Sequence, residues 1–101
     1  MTGKNKEQFE KWYNNRSIES LPITLRGFFN MDFVYQIGVY LAYYDSFDIQ
    51  VEVSFWGDLV YEYRIYKNGT DIDIYAKSNN EATRNEAYKE AFKKADELIN
   101  K

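Results

Sequence analysis

Three runs of alternating apolar and polar residues between Asp48 and Lys77 constrain the fold of this chain more than any other feature. In the first, Ile49, Val51, Val53 and Phe55 are apolar, with Gln50, Glu52 and Ser54 between them. Leu59, Tyr61, Tyr63 and Ile65 repeat the pattern around Glu62 and Arg64, and Ile72, Ile74 and Ala76 repeat it around Asp71, Asp73 and Tyr75. Successive strand side chains point to opposite faces, so each run predicts a strand with one buried face and one wet face. Asn68-Gly69 lies between the second and third runs, where a two-residue type I′ hairpin needs two residues that tolerate positive φ. Such a turn sets Ile65 opposite Ile72, Tyr63 opposite Ile74, and Arg64 opposite Asp73. The first hairpin leaves two registers open. A loop at Trp56 to Asp58 puts Glu52 opposite Glu62, and a loop at Gly57 to Leu59 puts it opposite Arg64.

The flanking segments predict helices that cover this sheet. Residues 1–5 are expected to fray, and Lys6 to Asn14 carries Phe9, Trp12 and Tyr13 as one apolar stripe. A connection containing Pro22 and Gly27 follows, with a helical turn near Ile23 to Arg26. Residues 32–46 predict a helix with Phe33, Val34, Ile37, Tyr40, Leu41 and Tyr44 on one face. That spacing persists for three turns, which favours a helix over a strand pair. Gly38 in its middle suggests close backbone approach to the sheet. Residues 83–100 predict the last helix, opened by a capping box of Thr83 with Glu86 and buried along Ala87, Tyr88, Ala91, Phe92, Ala95, Leu98 and Ile99. The expected fold is α+β, in the order α-α-β-β-β-α: one domain, 1–101, with a three-stranded antiparallel sheet (48–77) and helices packed on one face.

Composition narrows the chemistry. With neither cysteine nor histidine, the chain lacks disulfides, thiolate metal sites, the commonest general base and the commonest metal ligand. Its serines have no histidine partner, and its five glycines form no phosphate-binding loop. The expectation is a non-enzymatic protein without cofactor, located in the cytoplasm, away from membranes, and monomeric or weakly dimeric. The net charge of −3 is concentrated in residues 48–77, which hold six acidic groups against three basic ones.

That acidic bias falls on the wet face of the sheet. Glu52, Glu62, Asp71 and Asp73 share it with Trp56, Tyr66 and Tyr75, and aromatic anchors within a charged rim suit a protein contact, with a basic partner favoured. A rival arrangement folds the first helix over this face, stacking Phe9 and Trp12 on Tyr66 and Tyr75. Asp71 and Asp73, with Glu62, also offer an oxygen-ligand site for Mg²⁺ or Ca²⁺, although a solvated strand face with Arg64 neutralising Asp73 is the favoured account of them.

Two resemblances add to this reading. The order helix, three strands, helix over residues 32–100, with Thr83-Arg84-Asn85-Glu86-Ala87-Tyr88-Lys89-Glu90-Ala91 opening the last helix, resembles the double-stranded RNA-binding domain. It implies a nucleic-acid contact at Arg84 and Lys89. However, Glu86 and Glu90 stand where such domains cluster lysines, and so acidic a surface is expected to bind RNA poorly. Phe9-Glu10-Lys11-Trp12-Tyr13, Gln36-Ile37-Gly38-Val39-Tyr40, Tyr43-Tyr44-Asp45-Ser46 and Ala95-Asp96-Glu97-Leu98-Ile99-Asn100 resemble segments of small phage and prophage proteins of Bacteroides-type bacteria. That likeness implies an accessory protein acting on a host or phage protein.

Overall fold

The computed structural model describes residues 1–15, 23–55, 61–67, 70–74 and 83–100. The elements run α1 (Gly3–Asn14), α2 (Leu25–Phe29), α3 (Phe33–Asp45), β1 (Ile49–Phe55), β2 (Tyr61–Lys67), β3 (Thr70–Ile74) and α4 (Arg84–Ile99). The fold is mixed helix and strand with an antiparallel sheet.

The regular part of the sheet has two strands rather than three. β1 and β2 are in register along their whole length, with Glu52 opposite Arg64, Val51 opposite Ile65 and Val53 opposite Tyr63. That register is the second of the two alternatives the sequence leaves open, and it separates two carboxylates that the first would have placed side by side. β3 runs along β2 only irregularly. Lys67 pairs with Thr70 as the Asn-Gly turn requires, but the register then shifts, and Ile65 pairs with Ile74 instead of Ile72. Extra residues in one strand of an antiparallel pair produce such a shift. It also cancels the expected pairing of Tyr63 with Ile74 and of Arg64 with Asp73. Both hairpin loops lie outside the described residues.

The inner face of the sheet behaves as the alternation predicts. Ile49, Tyr63 and Ile65 are buried, Val51 and Val53 pack against the core, and α3 and α4 lie over them. On α4 the buried stripe is Ala87, Ala91, Phe92 and Ala95, whose small side chains bring the helix close to the strands. Thr83 caps it, its hydroxyl accepting from the Glu86 N–H at 3.1 Å. The turn from α3 into β1 passes through Asp48, whose φ of 59° is in the left-handed region. Aspartate tolerates that region better than most residues.

Three expectations about the helices are corrected. The chain is not frayed at its start, because α1 begins at Gly3 and Asn5 is fully buried. The first helical turn is secured by side chains from the other end of the chain: Asp96 accepts from the Thr2 N–H (3.1 Å) and hydroxyl (2.9 Å), and Asn100 Oδ1 accepts from the Asn5 N–H (2.8 Å). On α3 the buried arc is rotated from the expected one. Gln36, Tyr43 and Tyr44 are buried and Val34 is 55% exposed, because this helix is covered from two directions. Rings of α1 and α2 press on one side of it, and the sheet and α4 on the other. Finally, Gly38 marks no close approach, since a Cβ built there would meet nothing within 4 Å.

Candidate functional site

The outer face of the sheet carries the residues that the sequence nominates for a protein contact. Along β1 and β2 it pairs Gln50 with Tyr66, Glu52 with Arg64, and Ser54 with Glu62. Glu52 and Gln50 are exposed and Tyr66 is half-buried; the Ser54 hydroxyl donates to Glu52 Oε1 at 3.2 Å. Glu62 does not belong to a wet rim. It is 4% exposed, and its Oε1 lies 2.6 Å from Arg64 Nε, two residues along the same strand. Hydrogen bonds to Glu62 and then to Tyr66 hold the Arg64 guanidinium protonated beyond its ordinary range. The strand's own ion pair therefore takes up a carboxylate that was expected to face solvent. Asp71 and Asp73 sit on β3, but their side chains, like Trp56 and Tyr75, lie outside the described residues.

Among the described residues, the first helix packs on other helices rather than on this face. Phe9 is fully buried against Phe28 (5.5 Å between centroids), Tyr40 (5.4 Å) and Tyr43 (5.2 Å, edge-on), and Trp12 lies edge-on to Tyr43 at 5.4 Å. Those rings belong to α2 and α3, so Phe9 is taken up by the helices rather than stacked on Tyr66, and the expected stacking on Tyr75 lies outside the described residues. The α1 stripe docks there because α3 offers it a run of tyrosines, and tilted or edge-on aromatic pairs add to the burial of their area.

A second concave region lies between α3 and α4, bordered by Met1 and Thr2, with a volume of about 470 Å³. Phe33, Tyr40 and Phe92 form its apolar wall, with Phe33 edge-on to Phe92 at 6.1 Å and Tyr40 tilted to Phe92 at 5.3 Å. Gln36, Lys89 and Lys93 supply polar groups. Next to it is a buried polar cluster centred on Asn5. The Asn5 amide donates to Asp96 Oδ1 (2.7 Å) and the Tyr44 hydroxyl (3.1 Å), while its Oδ1 accepts from the Tyr43 hydroxyl (2.7 Å). Burial, reinforced by the Asp96 charge, pushes the Tyr43 phenol up to about 12, and burial raises Tyr44 as well. For Asp96, burial acts upward, but hydrogen bonds from Asn5 and Thr2 outweigh it and hold the carboxyl below its usual range.

The two residues nominated for nucleic acid do not form a shared surface. Arg84 and Lys89 are both exposed, but five helical positions at ~100° each place them on different sides of α4. Lys89 also sits 5.5 Å from the centroid of the Phe33 ring and 4.0 Å from Glu86. Among the described residues, no group of three or more carboxylates lies together as a metal site would require. No helix among them is long and apolar enough to cross a membrane.

Asn5 and Gln36 escaped the sequence reading, although a signal was present for each. Asn5 precedes Phe9 and Tyr13 at steps of four, and Gln36 stands in the same relation to Tyr40 and Tyr44. A polar residue in phase with an apolar stripe is a candidate for burial. The comparisons supply no further constraint: no family model, curated protein or solved structure matches the chain.

Proposed function

We propose that this protein is a non-enzymatic binding domain that engages a protein partner through the outer face of its sheet. The observation that carries this reading is the docking of α1 on α2 and α3, which leaves the outer face without a covering helix among the described residues. Tyr66, with Arg64 two residues away on its own strand and Gln50 and Glu52 on the neighbouring one, has the anatomy of an interface: an amphipathic ring set among polar groups. The acidic excess of residues 48–77 favours a basic partner through electrostatic steering, an effect that salt weakens. The phage and prophage resemblance supports a host or phage protein as that partner. The absence of histidine and cysteine from the sequence supports the non-enzymatic part of the reading.

The test is affinity capture from bacterial lysate with the wild-type chain and two variants, Tyr66→Ala and Glu52→Lys. Glu52 is exposed and Tyr66 half-buried on the outer face, outside the core, so each variant is expected to melt within a few degrees of wild type. A partner captured by the wild type and lost by both variants supports the outer face. Retention of that partner by both places the contact elsewhere and ends the proposal.

A further inference from the structure

We infer that the cleft between α3 and α4 binds a small planar aromatic carboxylate, with Phe33, Tyr40 and Phe92 taking the ring and Lys93 and Lys89 taking the charge. At about 470 Å³ the cleft falls within the range of small-molecule sites, which are mainly apolar with a few placed polar groups. Phe33 is edge-on to Phe92 and Tyr40 is tilted to it, and a flat guest can extend such a wall by the edge-on or offset contacts that aromatic quadrupoles favour.

The polar groups in the cleft set the sign of the guest's charge. Asp96 has both oxygens engaged, one with the Thr2 N–H and Asn5 amide and the other with the Thr2 hydroxyl. Glu97 has Lys94 at 3.8 Å, an exposed pair and therefore a weak hold. The cations are less committed. Lys93 makes no ion pair or hydrogen bond with a described residue. Lys89 is held only by the Phe33 face and by Glu86 at 4.0 Å, both weak at an exposed position. With Asp96 engaged, two loosely held lysines face one loosely held carboxylate, so the uncommitted charge at the cleft is positive, and an anion would find it without breaking a strong pair.

Two uncharged groups give the guest further partners. Gln36 is buried and donates its Nε2 to the Phe28 carbonyl at 2.9 Å, which turns Oε1 away as an acceptor with no partner among the described residues. The Tyr40 hydroxyl likewise has none, and burial raises its pKa, so it remains a donor at neutral pH. Buried polar atoms are normally satisfied, and a guest that carries an acceptor, or a ring N–H, would satisfy them.

Indole-3-acetate is a suitable probe, with indole-3-ethanol as its uncharged counterpart. Both are titrated into ¹⁵N-labelled protein with no N-terminal tag, because Met1 and Thr2 border the cleft. The expected result is saturable amide shifts clustered in residues 33–40 and 89–96 with indole-3-acetate, and weaker binding of indole-3-ethanol. Lys93→Gln, at an exposed position, should leave the melting temperature unchanged and weaken indole-3-acetate by about three- to fivefold, the scale of one exposed charge pair. Lys89→Gln combined with it should weaken binding further. Shifts scattered over other surfaces, equal binding of the alcohol, or unaltered affinity in the double variant would each overturn the inference.

Discussion

Asn5 illustrates how much of this fold depends on single polar side chains. It is fully buried, and its side chain serves Tyr43, Tyr44 and Asp96 together. Replacing it with alanine leaves two buried phenols short of a partner and takes one of its donors from the half-buried Asp96 carboxylate. Asn5→Ala is therefore expected to cost about 2–4 kcal/mol, read as a lower midpoint in urea with an unchanged slope. The same cluster predicts a two-sided pH dependence. The carboxyl of Asp96 is held below its usual range, so folding favours the ionised form; its contribution is complete above the unfolded value of about 4 and is lost as pH falls through the folded one. Tyr43 and Tyr44 are raised, so folding favours the neutral phenols. Their contribution is complete below about pH 10 and is lost as pH rises toward and past 12. Melting temperature against pH should be level from about pH 5 to 10 and fall beyond either end. Tyr43→Phe should make the alkaline fall shallower, and an identical alkaline limb in that variant would count against the assignment. The network itself was not legible from local sequence, because the partners of Asn5 lie 39 and 91 positions away.

Individual elements were more legible than their pairing. The alternation from Ile49 to Phe55 and from Leu59 to Ile65 identified both regular strands and their inner faces, since a period of two survives any tertiary context that buries one side. Thr83 with Glu86 identified the start of α4 because a cap is a local hydrogen bond. Thr83→Ala should cost about 1 kcal/mol, visible as a small drop in melting temperature. The position of β3 was not legible beyond its first pair, as a register shift depends on what packs around the strand rather than on the turn that starts it. The outward charge of Glu62 failed as a site prediction for a similar reason: parity gives the face, while Arg64 on the same strand decides the burial. Gly38 gives the clearest test at this scale. It lies inside α3 with open space where a Cβ would go, so nothing in the structure requires glycine. Gly38→Ala should stabilise the protein by about 0.5–1 kcal/mol through the lower entropy of the unfolded chain and better helix propensity. A destabilised variant would mean that α3 approaches another element at this position after all.

At the scale of the whole molecule, the question is whether α1 is an accessory or part of the core. The resemblance over residues 32–100 implies a unit complete without it. The packing points the other way. Phe9 is fully buried among rings from α2 and α3, and the start of α1 is tied to the end of α4 through Thr2, Asn5, Asp96 and Asn100. Phe9→Ala removes a whole ring from that cluster and should cost about 3–5 kcal/mol, a large part of the roughly 5–15 kcal/mol typical of a domain. Deleting residues 1–14 goes further, since it exposes Phe28 and Tyr43 and also removes Asn5 from the polar cluster. What is left still has an interface of its own, with Phe92 stacked on Tyr44 at 5.8 Å and α4 lying on β1 and β2. Secondary structure should therefore survive while fixed packing does not. The expected state keeps its far-UV circular dichroism, loses the near-UV signal of its tyrosines, binds a hydrophobic dye and melts without cooperativity. If the shortened chain instead melts in one sharp transition with its near-UV signal intact, then α3, the sheet and α4 form the self-sufficient unit, and α1 is an appendage to it.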